Sequence, residues 1–311
     1  MSNGVQYVTI SSNESGQRID NFLIKILKGA PKSLIYRIIR KGEVRVNKGR
    51  VKPERKLAEG DIVRIPPVRT ADRKEANPSE SLQNHIASSI LYESDALLIV
   101  NKPSGLAVHG GSGISLGLIE SLRAMNTESQ YLELVHRLDR DTSGCVMVAK
   151  KRSMLVHLQS LLTNKTSIDK RYLALVKGHW PKRKRVVDAP LRKNELKSGE
   201  RVVKVQIDGK DSRTEFDIVK TFENATLMDV KPVTGRTHQI RVHALHVGCP
   251  LVGDDKYGED DFNKSMKPFG FKRLFLHASS LDLLLPDGER LKVEAPLPDE
   301  LHEALKKLGQ A

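Results

Sequence analysis

HRLDRDTSG, residues 136–144, runs straight into the apolar stretch CVMV, so a loop crowded with charge feeds a segment of apolar side chains. Short apolar runs bounded by turn residues read as buried strands, and VMVAK is therefore expected to be a core strand with the charged loop at its leading end. Asp139 lies between Arg137 and Arg140. In the ordinary case such a carboxylate forms a surface ion pair, contributing about 0 to 1 kcal/mol. The alternative is a functional acid at the mouth of a cleft. A metal site would recruit Asp139 with Asp141, or Asp254 with Asp255, but neither pair comes with a His/Cys framework or a further acidic cluster.

Upstream, LYESDALLIVNKPSGLAVHGG reads as a strand, ALLIVNK, then a Pro-Ser-Gly turn and a glycine-rich loop. HGGSG, with glycines at 110, 111 and 113, lacks both the Gly-Lys-Ser/Thr ending of a P-loop and the dinucleotide fingerprint. A flexible loop near a site is expected there rather than a nucleotide pocket. Leu116, Ile119 and Leu122 predict a helix around 115–125, and Met154, Leu155, Leu158, Leu161 and Leu162 another around 152–163.

Downstream, DKRYLALVKGHW puts Tyr172 at the head of a strand, where by itself it is an ordinary strand aromatic. PVTGRTHQIRVH, residues 232–243, is read as an apolar strand carrying Arg236, His238, Gln239, Arg241 and His243. If 238–243 is extended, Gln239, Arg241 and His243 share one face, with His238, Ile240 and Val242 on the other, so that one arginine can reach into a cleft. A buried carboxylate beside an arginine keeps its charge because the cation offsets desolvation, which leaves an ionised acid for nucleophilic or base chemistry.

A chain of 311 residues with 39% hydrophobic side chains is long enough for one large or two smaller cored domains. Cys145 and Cys249 lie far apart in apolar surroundings and are read as inert core residues, which argues against a disulfide scaffold or a zinc site. No run approaches the roughly eighteen apolar residues of a membrane span, and the N-terminus lacks a signal-peptide pattern. A cytoplasmic protein is expected. Lys+Arg 52 against Asp+Glu 38 gives a net charge of +14, the excess that suits a polyanionic partner, most often nucleic acid. Positions 1–75 hold 17 basic and 8 acidic residues, a net of +9, so the amino-terminal segment looks like an electrostatic arm.

Residues 66–90, with three prolines and no sustained periodicity, read as a linker between segments 1–65 and 91–311. Before the linker, Ile19, Phe22, Leu23, Ile26 and Leu27 form one helical stripe, and Leu34, Ile35, Ile38 and Ile39 a second that opens at Pro31, Lys32 and Ser33. VRVN, a KGR turn and DIVRI follow as strands. Lys32, Arg37, Arg40 and Lys41 stand off the apolar face of the second helix, and Arg45, Lys48, Arg50 and Lys52 continue the basic track. A small αα-β unit of this kind suits the holding of phosphates.

This unit, over about 16–65, resembles an S4 domain, the small RNA-binding module of ribosomal and RNA-modifying proteins. HRLDRDTSG, KRYLALVKG (170–178) and GRTHQIRVH (235–243), with NKPSGLAVHGG and RLFLHASSL, together resemble the RluA family of pseudouridine synthases over nearly all of 91–300. The resemblance implies an α+β fold, a mixed, largely antiparallel sheet with flanking helices and a central basic cleft. It implies Asp139 as the catalytic aspartate, Tyr172 as the tyrosine packed on the target base, Arg241 as the arginine paired with the aspartate, and Arg137 as the side chain that fills the gap left by a flipped nucleotide. Ile240 and Leu276 would line the pocket beside Tyr172. The implied activity is cofactor-free, metal-free isomerisation of uridine in large-subunit (23S) ribosomal RNA, naked or in an assembly intermediate, by a monomer with no membrane association. A non-catalytic S4 assembly factor, a metal-dependent enzyme acting on RNA phosphates, and a pseudouridine synthase acting on another RNA are the other classes.

Overall fold

The computed structural model describes residues 4–27, 29–68, 77–110, 116–126, 131–195 and 199–310. The chain divides into two compact units, 1–77 and 78–311, with 151–153 grouped with the first. The first contains β1 (Gln6–Thr9), α1 (Ile19–Ile26), α2 (Lys32–Arg40), β2 (Arg45–Val46), β3 (Gly49–Arg50) and β4 (Ile62–Ile65). Its sheet runs in the order β1-β4-β2-β3, antiparallel throughout. The helical stripes do what their spacing predicts: Ile19, Phe22 and Leu23 of α1 and Ile35, Ile38 and Ile39 of α2 are buried with Val44, Val46, Val63 and Ile65 in one core.

Two details differ from the sequence reading. The hairpin turn falls at Asn47 and Lys48, both at positive φ (48° and 68°), and Gly49–Arg50 is strand. Two consecutive left-handed residues match the right-handed twist of the flanking strands, and asparagine tolerates that conformation. The Asn47 side chain also donates to Asp61 Oδ1 (2.7 Å) and accepts from the Ile62 N–H (2.9 Å), which locks the turn to β4. Strand β1 was not expected, since four residues carry little pattern; pairing with β4 makes it a strand.

The second unit contains α3 (Glu80–Ser88), β5 (Ile90–Glu93), β6 (Leu97–Lys102), α4 (Leu118–Met125), β7 (Glu133–Leu134), β8 (Ser143–Ala149) and α5 (Arg152–Asn164). These are followed by β9 (Ile168–Lys177), β10 (Val186–Asp188), β11 (Leu191–Glu195), β12 (Arg201–Val205), β13 (Arg213–Thr221) and β14 (Ala225–Pro232). Then come α6 (Gln239–His246), α7 (Asp260–Met266), β15 (Leu276–Leu284), β16 (Arg290–Glu294) and α8 (Asp299–Leu308). Ten strands form one sheet in the order β10-β13-β14-β9-β15-β8-β6-β5, with β16 on β15 and β7 on β8. Only β8 and β15 run parallel among the described pairs, so the sheet is mixed and largely antiparallel. All seven residues of β8 are buried, which is why its sequence after Ser143 is an unbroken apolar run.

Helix α3 lies inside the stretch read as linker. Ser79 caps it by accepting from the Leu82 N–H (3.3 Å), and fully buried Ile86 ties it into the second core. One anchoring residue in nine leaves almost no periodic signal in the sequence. Residues 69–76 of the linker, and the glycines at 111 and 113, lie outside the described residues. Cys145 and Cys249 are buried free thiols, and burial pushes the Cys145 thiol up to about 12. No helix among the described residues is long and apolar enough to cross a membrane.

Candidate active site

Four stretches of chain far apart in sequence, 136–142, 162–172, 231–241 and the start of β15 at Leu276, meet at a cleft of about 450 Å³ in the second unit. Asp139, Tyr172, Arg241, Arg137, Ile240 and Leu276, all six side chains singled out from the sequence for catalysis or pocket lining, line it. Its wall carries six basic residues, Arg137, Lys165, Lys170, Lys231, Arg236 and Arg241, against two acidic ones, Asp139 and Asp169, so the cleft is basic.

The Asp139 loop is held from both sides. Gly144, just past it, has φ +108°, and an added Cβ would stand 2.2 Å from the Ala278 carbonyl oxygen. Only glycine permits β8 to start this close to β15. On the other flank lies the NKPSG turn. Lys102, fully buried, donates from Nζ to the carbonyls of Pro103 (2.8 Å), Leu106 (2.7 Å) and Arg140 (2.9 Å). Ser104 Oγ donates to the Asp141 carbonyl (2.7 Å) and the Gly105 N–H to the Arg140 carbonyl (2.9 Å). The residues on either side of Asp139 are thus immobilised by backbone and lysine contacts. His136, neutral because burial lowers it to about 3, accepts the Met147 N–H at Nε2 (3.1 Å) and anchors the start of the loop. Farther along the same turn, the N–H groups of Gly110 and Gly117 both donate to the Glu120 carboxylate (3.0 Å each), so an anion of the protein already occupies donors that a phosphate cradle would use.

The segment 232–243 is not one strand. Strand β14 ends at Pro232, and α6 starts at Gln239 after His238, which adopts a left-handed conformation (φ 54°). Gln239 and His243, one helical turn apart, both bond the Thr214 hydroxyl, Gln239 by donating from Nε2 (2.9 Å) and His243 through Nδ1 (2.9 Å). Six consecutive residues, Gln239 to Ala244, are buried. A helix buried on every side shows no 3.6-residue polarity, and over six residues its sequence mimics strand alternation. The expectation that 238–243 is extended is therefore corrected, although Arg241 does reach the cleft.

Arg241 Nη1 donates to Asp139 Oδ2 at 3.3 Å, while its Nε and Nη2 donate to the two oxygens of Asp254 at 2.7 Å each. Asp254 is fully buried and also accepts the N–H groups of Lys256 and Tyr257 (2.9 Å each). Burial by itself would push the Asp254 carboxyl up, but these bonds outweigh it and hold it below the usual carboxylate range. Burial likewise opposes the Arg241 charge and is outweighed by Asp254 and then Asp139, so the guanidinium stays ionised. Both Asp254 oxygens are taken by a guanidinium, which removes the Asp254–Asp255 metal reading.

His238 Nε2 lies 3.8 Å from the same Asp139 oxygen. Its Nδ1 sits 2.7 Å from the Tyr257 hydroxyl, which accepts the Val203 N–H (3.0 Å). That contact holds the imidazole with Nε2 facing Asp139. Burial keeps His238 from protonating at its usual pH, against the opposing pull of Asp139. Alternation along a strand places His238 and Arg241 on opposite faces; the turn into α6 brings both to one oxygen. Asp254, Tyr257 and His238 are the supporting residues that the sequence reading did not assign, and for Asp254 the signal was the apolar run PLVG leading straight into an aspartate.

Tyr172 sits in the middle of β9 rather than at its head, opposite Val230, and is buried beside Ile240 and Leu276. Burial first, and the Asp139 charge second, raise its phenol, so it stays neutral. Arg137 is exposed at the cleft. In the first unit, Lys32, Arg37, Arg40, Lys41, Arg45, Lys48, Arg50 and Lys52 are all exposed, and their described hydrogen bonds are limited to backbone carbonyls.

The family described as RNA pseudouridylate synthase matches residues 96–246, and the S4 domain family matches residues 17–63. The ribosomal large subunit pseudouridine synthase C of Yersinia pestis is 58% identical over 304 residues, which cover 97% of this chain and 95% of the relative. Its counterpart from Haemophilus influenzae is 55% identical over 314 residues, covering 100% and 97%. Among solved structures, human RNA pseudouridylate synthase domain containing 4 aligns with a TM-score of 0.61 at 26% identity, over 73% of this chain and 95% of that one. One family match spans Asp139, Tyr172 and Arg241 in a single stretch, and likeness at more than half of all positions runs from end to end. The chain therefore belongs to the RNA pseudouridylate synthase family.

Proposed function

We propose that this chain isomerises uridine to pseudouridine at particular positions of large-subunit (23S) ribosomal RNA. The observation that carries the reading is the state of Asp139. Both of its side-chain contacts fall on Oδ2, from Arg241 Nη1 at 3.3 Å and His238 Nε2 at 3.8 Å, which leaves Oδ1 unpaired among the described residues in a basic cleft. Isomerisation breaks the N1–C1′ bond, turns the detached uracil and joins C5 to C1′, with no net gain or loss of atoms. Asp139 Oδ1 starts it by attacking the sugar or base, or by removing the C2′ proton; each route uses a carboxylate, and Arg241 holds this one in place through Oδ2. A uracil in folded RNA is out of reach until it is extruded, at a cost of roughly a few kcal/mol. Stacking on Tyr172 between Ile240 and Leu276, insertion of Arg137 into the vacated gap, and cationic contacts to the backbone offset that cost.

The eight exposed cations from Lys32 to Lys52 would hold rRNA phosphates. Because RNA helices hide their base edges in a deep groove, recognition rests on shape and on extruded bases more than on a linear code. One chain carries the acid, the aromatic, Arg137 and Arg241 of the cleft, which supports a monomer. An rRNA substrate, naked or in an assembly intermediate, supports a cytoplasmic location. The test is tritium release from large-subunit rRNA labelled at uridine C5, with EDTA present, since isomerisation frees that hydrogen. Asp139→Asn keeps the shape and removes the charge; it is expected to abolish release and leave RNA affinity within a few-fold. Retained release would take Asp139 out of the chemistry.

A further inference from the structure

Strand β9 alternates, so Ile168, Lys170 and Tyr172 present their side chains to one face. All three line the cleft. Lys170 is half-buried there, yet its ammonium has no hydrogen bond or ion pair among the described residues. Of the other cations lining the cleft, Arg137 and Lys165 are exposed to solvent and the rest are engaged. Arg241 is shared by Asp254 and Asp139, Lys231 pairs with Asp169 (3.3 Å), Arg236 Nε donates to the Asp211 carbonyl (3.1 Å), and Lys102 fills three carbonyls. Arg171, the next residue of β9 and on its other face, bonds Asp169 and Asp229. Burial lowers the Lys170 ammonium and no neighbouring carboxylate offsets it. An unpaired, partly desolvated charge weakens a fold, and the deficit is removed when an anion arrives.

The position of Lys170 indicates which anion. It stands two residues from Tyr172 on the same strand face, about 7 Å along the strand. A nucleotide whose base lies on Tyr172 carries its phosphodiesters about one side chain's reach away. We infer that Lys170 binds the phosphodiester directly flanking the extruded uridine, a phosphate subsite inside the catalytic cleft and separate in sequence from the basic track of the first unit. The subsite rests on the reading of Tyr172 as the platform for the base.

The test uses the full-length enzyme and an RNA whose modified uridine has been mapped with the wild type. Two further RNAs carry a single neutral methylphosphonate, one at the linkage 5′ and one at the linkage 3′ of that uridine. Lys170→Met is expected to lower kcat/KM on the unmodified RNA by about ten- to a hundredfold, the scale of one charge-assisted hydrogen bond, and Lys170→Arg to restore most of it. On one methylphosphonate RNA the wild type should fall to the same level, and Lys170→Met should lose nothing more. Equal losses for Lys170→Met on all three RNAs, or no loss on any, would overturn the subsite. Failure of the wild type to release tritium from the unmodified RNA would instead overturn the isomerase reading, so the two failures are distinct. Lys170→Gln guards against a folding artefact: it should match Lys170→Met in kcat/KM with an unfolding midpoint no lower than the wild type, and a normal rate in that variant would also refute the subsite.

Discussion

Replacing Asp254 by asparagine isolates the carboxylate that aims Arg241. Asp254 is fully buried and takes four hydrogen bonds, at 2.7 Å from each of Nε and Nη2 of Arg241 and at 2.9 Å from the N–H groups of Lys256 and Tyr257. An amide has one oxygen. Its better orientation keeps that oxygen at the Oδ1 position, where three of the four bonds survive, and turns the NH₂ against the Nε–H of Arg241. One charge-assisted bond is lost, and a buried guanidinium keeps only the more distant Asp139 as its counter-ion. Breaking one side of a buried ion pair costs about 3–5 kcal/mol, which for a unit of this size lowers the unfolding midpoint by roughly 10 °C. Because Nη1 belongs to the same rigid fork, repulsion between Nε–H and the amide NH₂ swings the guanidinium and also weakens the contact to Asp139 at 3.3 Å. Turnover should fall at least tenfold at a temperature where the variant is still fully folded. Thermal unfolding followed by circular dichroism and tritium release at that temperature measure the two effects. A lowered midpoint with normal turnover would refute the aiming role, and an unchanged midpoint with normal turnover would refute the whole account of the pair.

The Tyr172 hydroxyl makes no hydrogen bond to a described residue, so Tyr172→Phe should keep turnover within several-fold, whereas Tyr172→Ala should lose it along with about 3–5 kcal/mol of stability. A Phe variant as inactive as the Ala variant would move the role from the ring to the hydroxyl. His277 is buried and neutral, between the Ser143 hydroxyl (2.9 Å) and the Ala295 carbonyl (3.2 Å), and burial lowers it from 6.5 to about 4. The unfolded chain therefore takes up this proton first as pH falls. Stability from neutral His277 is full above pH 6.5 and is lost progressively toward about 4, with a ceiling of about 3 kcal/mol. Denaturant titrations at several pH values should show a shallower acid decline for His277→Gln; parallel declines would contradict this assignment. Removing residues 1–70 should leave the second unit folded, since the core of the first unit lies between Val8 and Val68 and shares no residue with the others, and should weaken rRNA binding while flattening its salt dependence. An identical affinity and salt slope would show that the basic track is not the anchor.

Much was legible in the sequence because the features concerned are local. The stripes of α1 and α2, the apolar runs of β6 and β8 and the charge of the first 75 residues report burial and solvation directly. The resemblance of HRLDRDTSG and GRTHQIRVH to one family indicated that Asp139 and Arg241, 102 positions apart, should meet, and Arg241 Nη1 does donate to Asp139 Oδ2. The tertiary structure alone decided the rest. Helix α6 looked like a strand because burial on every side erases the helical period. Helix α3 looked like linker because a single buried side chain holds it. The pairing of Asp254 with Arg241, the contacts from Tyr257 through His238 to Asp139, and the three carbonyls around Lys102 depend on which turn of backbone lies against which. Sequence periodicity records that a side chain is buried; only the folded chain sets which atoms it is buried against, because those contacts come from sheet register and left-handed turns that bring distant segments together.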